Sequence, residues 1–473
     1  MENNYYHWFA KFISILTDLL FMFIPVASLF VFTSTFEGVI RYVIFLVLLG
    51  VYLLVIYFAK DRIRDLFSNL LHRLEKYDEK KLLLALALFM IVSRIIYTIF
   101  FDFDATTSGD TGLYSEIADE IIASGSLRSS AISHLFAVAL HFVPFKLLNI
   151  PIRHGMFLPF FLGTLINDLS FKDIAGKEKA FLLLMIYLLM PSTILYSFCP
   201  THEVFFYFYL SAFLYFINRL LKCESTGKMI LNALPCTLFT ILAVFVNPVG
   251  YIIYVILLLI ALLGRISWKK KIAIAAILMV ALLGSHFLDQ LLEVNEYKTT
   301  TNTYTILIHG SNPMSLGEQV DRYPHEQTCF YLADEGLEYN RENYLIGMKA
   351  VLLGQYKYLL SHPVTLARMI IHKYYLLWSG DHYPIELAHI YGNMSDIVYY
   401  ALLTVSTLIY LFMATIWNVY RRRREDGMSV LNFKLTLLGV FAVTMLSIVT
   451  NKYGVYVTSY LYLISMYEAE FKK

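Results

Sequence analysis

The sequence predicts an all-α, polytopic membrane protein with about 12 transmembrane helices. The first observation is the composition: 58% of the 473 residues are hydrophobic, only 16% are charged, and the mean hydropathy is +0.61. The second is a series of apolar segments close to the ~20 residues that a helix needs to cross a bilayer. The third is that Lys and Arg cluster in the short connections between them. This composition excludes an ordinary soluble protein, and the net charge of +2 gives no indication of nucleic acid as a partner.

The apolar segments give the predicted spanning helices. The first is too long for the apolar part of a cleavable signal peptide and lacks a small-residue cleavage site, so we expect it to be retained. The predicted spans are 9–32, 38–58, 82–101, 153–170, 180–198, 204–221, 229–246, 248–264, 272–290, 397–417, 430–450 and 454–467.

The basic clusters determine the predicted orientation. If the apolar stretch 131–148 lies in the membrane interface instead of crossing, every cluster and both termini fall on the cytoplasmic side. The first large extracytoplasmic loop, 102–152, then carries amphipathic interfacial helices. The clusters lie in 60–81, 171–179, 219–228, 265–271 and 421–424, and Lys472 and Lys473 end the chain.

Four regions follow from this orientation. Residues 1–81 form an N-terminal transmembrane hairpin with its cytoplasmic connection, and residues 82–290 form a transmembrane core that includes the acidic outer loop. Residues 291–396 form a second extracytoplasmic region with interfacial helices, and 397–473 form the C-terminal transmembrane helices. The sequence shows no internal repeat, which disfavours transporter folds built from inverted repeats.

The segment 108–125 combines an amphipathic helix with a carboxylate at its start. Asp110 stands where the helix would begin, and Gly125 stands where it would end. A helix of this kind, laid against a membrane, is suited to chemistry on a lipid-borne substrate. Its apolar stripe consists of Leu113, Tyr114, Ile117, Ala118, Ile121 and Ile122, and its opposite face of Ser115, Glu116, Asp119 and Glu120.

Two interpretations of Asp110 stay open: it acts only as a helix N-cap, or its carboxylate also takes part in a reaction. Asp102 and Asp104, just before it, form an Asp-x-Asp pair that could hold a divalent cation against a phosphate. Simple acidity at the membrane edge is the more economical explanation of that pair.

A second carboxylate stands in a short turn between two predicted spans. Glu203 follows His202 at the start of a very apolar helix, where a carboxylate is costly unless it is paired or hydrated. It is either a reactive group or an interfacial Glu stabilised by the helix dipole.

Cations in the second predicted extracytoplasmic region, 291–396, are candidates for binding a phosphate. Arg368 and His372 are four residues apart on one predicted helix face, and Lys373 is adjacent. Ordinary snorkelling at the interface explains each of them equally well. Arg94, in the outer half of the third span, and Lys452, in the last outer turn, are further candidates.

These places, in this order, resemble the GT-C superfamily of integral membrane glycosyltransferases, in particular the aminoarabinose-transferase and protein O-mannosyltransferase type. The family's Asp-Glu-x-x-Tyr segment, helix and small-residue end correspond to the segment from Asp110 and Tyr114 to Gly125, with Thr111 in place of the second acid. The family's second acidic position corresponds to Glu203. Its Arg-Pro appears as Asn247-Pro248, and its His-Pro, Lys and Trp appear as His362-Pro363, Lys373 and Trp378.

The resemblance implies transfer of a sugar from a polyprenyl-phosphate donor to a glycan, lipid or protein acceptor on the extracytoplasmic face, in a bacterial cytoplasmic membrane. Asp110 then suits a general base, and Glu203 a second catalytic group that positions the acceptor or shares a proton. Tyr114 and His202 are substrate-binding candidates beside them. Phosphate would be held by cations. The phosphate-binding candidates are Arg94, Arg368, His372, Lys373 and Lys452. No cofactor is expected, and a divalent cation stays an open alternative.

Two other function classes compete with this hypothesis. A transporter or flippase for lipid-linked oligosaccharides would place polar residues along several spans, whereas here the charged candidates concentrate at the outer ends. A polysaccharide polymerase or ligase would also have a large outer loop, usually one richer in Arg and His than in acids. A scaffold without activity is the third alternative.

Overall fold

The computed structural model describes residues 2–33, 38–101, 109–126, 133–291, 296–318, 320, 322–378, 383–392, 394–421, 427–446 and 455–470. These residues are almost entirely α-helical, and an isolated bridge between Arg421 and Ala469 is the extended pairing found among them. The prediction of an all-α fold is therefore confirmed. Asp102, Asp104 and Lys452 lie outside the described residues.

The helices follow one another with short connections. In the first half of the chain they are α1 (Glu2–Phe32), α2 (Gly38–Leu74), α3 (Glu79–Phe101), α4 (Gly109–Ser124), α5 (Ser133–Leu147), α6 (Ile152–Gly155), α7 (Phe157–Ala175), α8 (Lys177–Leu189), α9 (Pro191–Tyr196), α10 (His202–Lys222) and α11 (Thr226–Val246). In the second half they are α12 (Tyr251–Leu263), α13 (Trp268–Leu291), α14 (Glu296–Gly310), α15 (Tyr323–Asp334), α16 (Arg341–Ser361), α17 (Pro363–Trp378), α18 (Tyr383–Tyr391), α19 (Asp396–Tyr420), α20 (Met428–Leu446) and α21 (Val455–Glu468).

The apolar helices identify an integral membrane protein. Within the described part of the chain, eight helices are long and apolar enough to cross a bilayer. They are α1, α2, α3, α10, α11, α13, α19 and α20. The other four predicted spans, 153–170, 180–198, 248–264 and 454–467, correspond to helices outside these eight, so the number twelve stays a prediction.

Proline explains why two of those four predicted spans are short or broken. Met190 precedes Pro191 and adopts an extended backbone (φ −73°, ψ 120°), which separates α8 from α9. Asn247 precedes Pro248 and is also extended (φ −145°, ψ 124°), and its side chain accepts a hydrogen bond from the Val249 amide. The predicted span 248–264 thus begins with a 3-10 turn and continues as the 13-residue α12.

Helix α10 is the central element of the bundle. It packs against α7, α11, α20 and α21, and 78% of its most apolar 18-residue window is buried. One face carries polar side chains that bond to neighbouring helices: Tyr207 to Asn167 (2.9 Å), Ser211 to Tyr460 (3.1 Å) and Asn218 to Asn432 (2.8 Å). In an apolar surrounding, such interhelical hydrogen bonds stabilise one arrangement of the helices.

A buried ionic cluster joins α1 to the C-terminal helices, near the end of α10 that holds Asn218. Arg421 pairs with Asp18 of α1, and its Nε lies 3.7 Å from the Glu468 carboxylate. Glu468 also accepts hydrogen bonds from Lys434 (2.6 Å) and from the Trp417 indole (2.8 Å). Asp18 and Arg421 are more than 400 positions apart in the chain, so sequence spacing does not predict this pair.

The helix predicted in the first loop and the described part of region 291–396 are both folded. Helices α4 and α5 pack on each other, and Lys146 of α5 bonds to Asp119 of α4 at 2.5 Å. Helices α14 to α16 have a small core of their own, made of Ile308, Met348 and Leu352.

The ionic cluster gives a prediction about stability. Removing one charge of a buried pair leaves its partners uncompensated, at a cost of about 3–5 kcal/mol. We expect Glu468→Gln to lower the thermal unfolding midpoint of the detergent-purified protein markedly, since Glu468 is 5% exposed and bonds to three side chains.

Asp78→Asn is the matched control, because the ion pair of Asp78 with Lys81 is exposed and such pairs contribute less than about 1 kcal/mol. Equal unfolding midpoints for the two variants would contradict a stabilising role for the cluster.

Candidate functional site

A chain of three polar side chains lies at the N-terminal end of α10. The Glu203 carboxylate is fully buried, and its Oε1 is 3.2 Å from Nε2 of His202. Nδ1 of the same ring is 3.0 Å from the hydroxyl of Tyr114 on α4, which is 1% exposed. The structure therefore brings together three of the side chains that the sequence singled out, from segments that are 88 positions apart.

The three side chains are linked by two kinds of contact. Nε2 of His202 is at ion-pair distance from the Glu203 carboxylate, and this pair is charged on both sides when the ring is protonated. Nδ1 of the ring shares a hydrogen bond with the Tyr114 hydroxyl, whose direction depends on the tautomer of the ring. Glu203 also lies in the first turn of α10, where the helix dipole favours a negative charge.

The turn that precedes α10 is held in place by Arg94 of α3. Arg94 donates from Nη1 to the Ser197 hydroxyl (3.1 Å) and from Nη2 to the Arg153 carbonyl (2.7 Å). Its guanidinium lies 3.0 Å from the centroid of the Phe198 ring. Arg94 is 6% exposed, so its charge is stabilised by these partners and by its surroundings, not by bulk water.

The pKa of the Cys199 thiol is affected by both the Glu203 carboxylate and the Arg94 guanidinium. Burial raises the pKa of its thiol, the Glu203 carboxylate raises that pKa further, and the Arg94 guanidinium opposes them. A cation and a carboxylate thus act on the same buried turn from two sides. The sequence had given no role to Ser197, Cys199 or Arg153, because their part in the site depends on how the turn folds against α3 and α6.

Helix α4 has the predicted bounds. It begins at Gly109 and ends at Ser124, and Gly125 follows with a positive φ of 63°, a conformation that glycine adopts without strain. Asp110 lies in its first turn, four residues before Tyr114. The hydrogen bond of Tyr114 therefore holds the beginning of α4 beside the beginning of α10.

A second contact at this end of the bundle was not expected from the sequence. His141 of α5 bonds to the Tyr209 hydroxyl of α10 and lies 4.5 Å from the Phe205 ring, centroid to centroid. Phe142, next to it, contacts the Tyr114 ring edge-on at 6.0 Å. The aromatic side chains of α5 thereby cover the Tyr114–His202 hydrogen bond.

The basic side chains of α17 differ in how far they are exposed. Arg368 is exposed, and His372 pairs with Glu318. Lys373 is fully buried and donates to the Met445 carbonyl (2.7 Å) at the C-terminal end of α20. Burial lowers the pKa of Lys373 to about 7, so its charge is partly lost at neutral pH.

The described residues contain no group of three or more His, Cys, Asp or Glu side chains arranged to hold a metal ion. The predicted metal candidates Asp102 and Asp104 are outside that part of the chain. The phosphate candidate Lys452 is outside it as well, and of Asp110 the structure describes the backbone.

Comparisons with known proteins give two solved structures that are similar to this chain. A crystal structure of ArnT from Cupriavidus metallidurans bound to undecaprenyl phosphate matches with a TM-score of 0.36 and 11% identity, over 80% of this chain and 76% of the other. The apo structure of ArnT from the same organism matches with a TM-score of 0.36 and 14% identity, over 80% and 74%.

No protein-family model matches the chain, and no curated protein matches it. ArnT is of the aminoarabinose-transferase type that the sequence motifs resemble. At this TM-score the two architectures coincide only in part, and the functional proposal rests on the residues of the chain itself.

Proposed function

We propose that the protein is a membrane glycosyltransferase that transfers a sugar from a polyprenyl-phosphate donor to an acceptor on the extracytoplasmic face. The observation that carries the proposal is the buried chain Glu203–His202–Tyr114. It fixes the start of the acidic helix α4 to the start of α10. A buried carboxylate and an acidic helix tip at one end of a membrane bundle suit acid–base chemistry on a substrate held at the membrane surface.

Each residue of this site has a separate proposed role. Asp110, in the first turn of α4, is the proposed general base that takes the proton of the acceptor hydroxyl. Tyr114 and His202 act as positioning residues, since their hydrogen bond sets the place of α4. The Glu203 carboxylate, 3.2 Å from Nε2 of His202, favours the protonated form of that ring. No resident cofactor is part of the proposal.

The donor phosphate requires cations that keep their charge and reach the substrate. Arg368 meets both requirements, because it is exposed and an arginine stays charged at any physiological pH. Arg94 and Lys373 are buried against carbonyl groups, and we assign them to organising the turn before α10 and the end of α20. Arg368 is therefore the first choice for donor binding, with His372 beside it.

The three-residue chain predicts non-additive effects of mutation. Tyr114→Phe and Glu203→Gln each break the chain, and we expect each to lower the transfer rate by about 10- to 100-fold. The double variant should lose little more than the worse single one, because groups that act as a unit are not additive.

The measurement is the initial rate of sugar transfer in proteoliposomes for the four proteins of this double-mutant cycle. Tyr215→Phe is the control, since its hydroxyl bonds to the exposed Arg219 near the other end of α10. Multiplied losses in the double variant would show that Tyr114 and Glu203 act independently.

The role of Asp110 gives a second prediction. Asp110→Asn keeps a side-chain oxygen in the first turn of α4 but removes the base, so we expect a loss of about 10²–10⁴-fold in rate. The unfolding midpoint should stay that of the unaltered protein.

Glu120→Gln, an exposed acid on the same helix, is the matched control for Asp110→Asn and should keep the full rate. Near-normal transfer by Asp110→Asn would contradict the role of Asp110 as the base and leave it only its place in the first turn of α4.

The choice of donor tests the proposed function itself. Purified protein is supplied with acceptor extract and either a polyprenyl-phosphate sugar or the matching nucleotide sugar, and we expect turnover with the lipid-linked sugar alone. Arg368→Ala should raise the KM for that donor about tenfold, whereas Lys357→Ala, an exposed cation on α16, should not. Turnover with the nucleotide sugar in the absence of lipid carrier overturns the assignment.

A further inference from the structure

Three aromatic rings meet on the surface of the unit formed by α14, α15 and α16, and a fourth ring lies against the neighbouring Arg341. We call them the ring cluster: His325 from α15, Tyr339 from the α15–α16 connection and Tyr344 from α16 are in contact, and Tyr297 from α14 is the fourth. The Tyr339 and Tyr344 centroids are 5.6 Å apart, and the His325 ring lies 5.8 Å from Tyr344 and 6.4 Å from Tyr339. The Arg341 guanidinium lies 5.3 Å from the centre of the Tyr297 ring.

The ring cluster is hydrogen-bonded on one side and exposed on the other. The Tyr344 hydroxyl bonds to Nδ1 of His325 at 3.1 Å. Burial and the neighbouring Tyr339, Cys329 and Tyr297 raise the pKa of Tyr344 to about 12, so its hydroxyl keeps its proton. Tyr339 is 64% exposed, so its ring offers a face to a ligand. Gly336, with a φ of 64°, makes the turn that places Tyr339 beside α15.

The charges around the ring cluster discriminate between its potential partners. From Arg322 to Tyr344 the exposed charged side chains are five acids and two arginines, a net charge of −3 without His325, and the exposed Lys298 follows Tyr297 on α14. An anionic phospholipid surface would be repelled by this surrounding. The acids are Glu326, Asp334, Glu335, Glu338 and Glu342, and the arginines are Arg322 and Arg341.

A neutral saccharide fits both features. The C–H faces of a pyranose ring are apolar and stack on exposed aromatic rings, whose faces carry partial negative charge. The sugar hydroxyls donate hydrogen bonds to carboxylates and accept them from a guanidinium, and both groups stand at the rim of the ring cluster.

From this combination we infer that the ring cluster is a binding surface for an uncharged oligosaccharide. Tyr339 provides the stacking face, and Arg341 and Glu342 provide hydrogen bonds at its edge. This inference rests on the proposed function only in naming the bound saccharide as the acceptor of transfer, or as the glycan that carries the acceptor. Binding itself is measurable without any transfer.

The experiment is saturation-transfer NMR with the full-length protein in zwitterionic nanodiscs and two probes, cellohexaose and chitohexaose. We expect at least one probe to bind, and Tyr339→Ala to weaken that binding at least tenfold. Phe330→Ala is the matched control: Phe330 lies in the same unit, is 63% exposed and is outside the ring cluster, so its removal should leave binding unchanged.

Three results overturn the inference: no saturation transfer with either probe, binding that Tyr339→Ala leaves intact, or an equal loss with Phe330→Ala. A nitroxide on Tyr339→Cys supplies an independent readout. Relaxation by a water-soluble nickel chelate supports a surface open to glycans, whereas preferential relaxation by lipid-soluble oxygen assigns the residue to the membrane. Tyr339-dependent binding without transferase activity would contradict the proposed function and leave the binding surface in place.

Discussion

The buried carboxylate of Glu203 is the constraint on which this end of the molecule depends. A carboxylate that is fully removed from water is costly unless a nearby charge or dipole compensates for the lost hydration. Here the His202 ring lies 3.2 Å from the carboxylate, and the N-terminal turn of α10 carries it. The other nitrogen of the same ring shares a hydrogen bond with Tyr114 of α4. The position of the acidic helix is thus linked to the surroundings of one buried charge.

The polar face of α10 connects this site to the rest of the bundle. Below Glu203, the same helix forms hydrogen bonds through Tyr207, Ser211 and Asn218 to α7, α21 and α20. These side chains are buried and bonded to neighbouring helices, which is the pattern of interhelical stabilisation. They connect α10, which carries Glu203 at its start, to three other helices.

Much of the helical architecture and part of the site were accessible from the sequence. Apolar length predicted the eight long spans, and the Asp110 to Gly125 pattern predicted the bounds of α4, because both signals are local. The partners of the buried charged side chains could not be predicted from the sequence. No local pattern connects Asp18 with Arg421 or Arg94 with Ser197. Such pairs depend on helix packing across hundreds of residues. Pro191 and Pro248 are helix-breaking residues that the sequence shows directly. The apolar runs around them are long enough to predict full spans, whereas the structure has a break at each proline.

The buried cations show why charge and depth have to be considered together. Arg94 and Lys373 matched the expected pattern of cations near a phosphate, yet each donates to backbone carbonyls in a site that water does not reach. A phosphate would have to displace those bonds, and for Lys373 the lowered pKa of about 7 further weakens the attraction. The exposed Arg368 has neither cost, because its charge is permanent and its side chain is open to the surroundings. Within the proposed reaction, the buried cations therefore shape the site, and recognition of the donor phosphate falls to the cations at its surface.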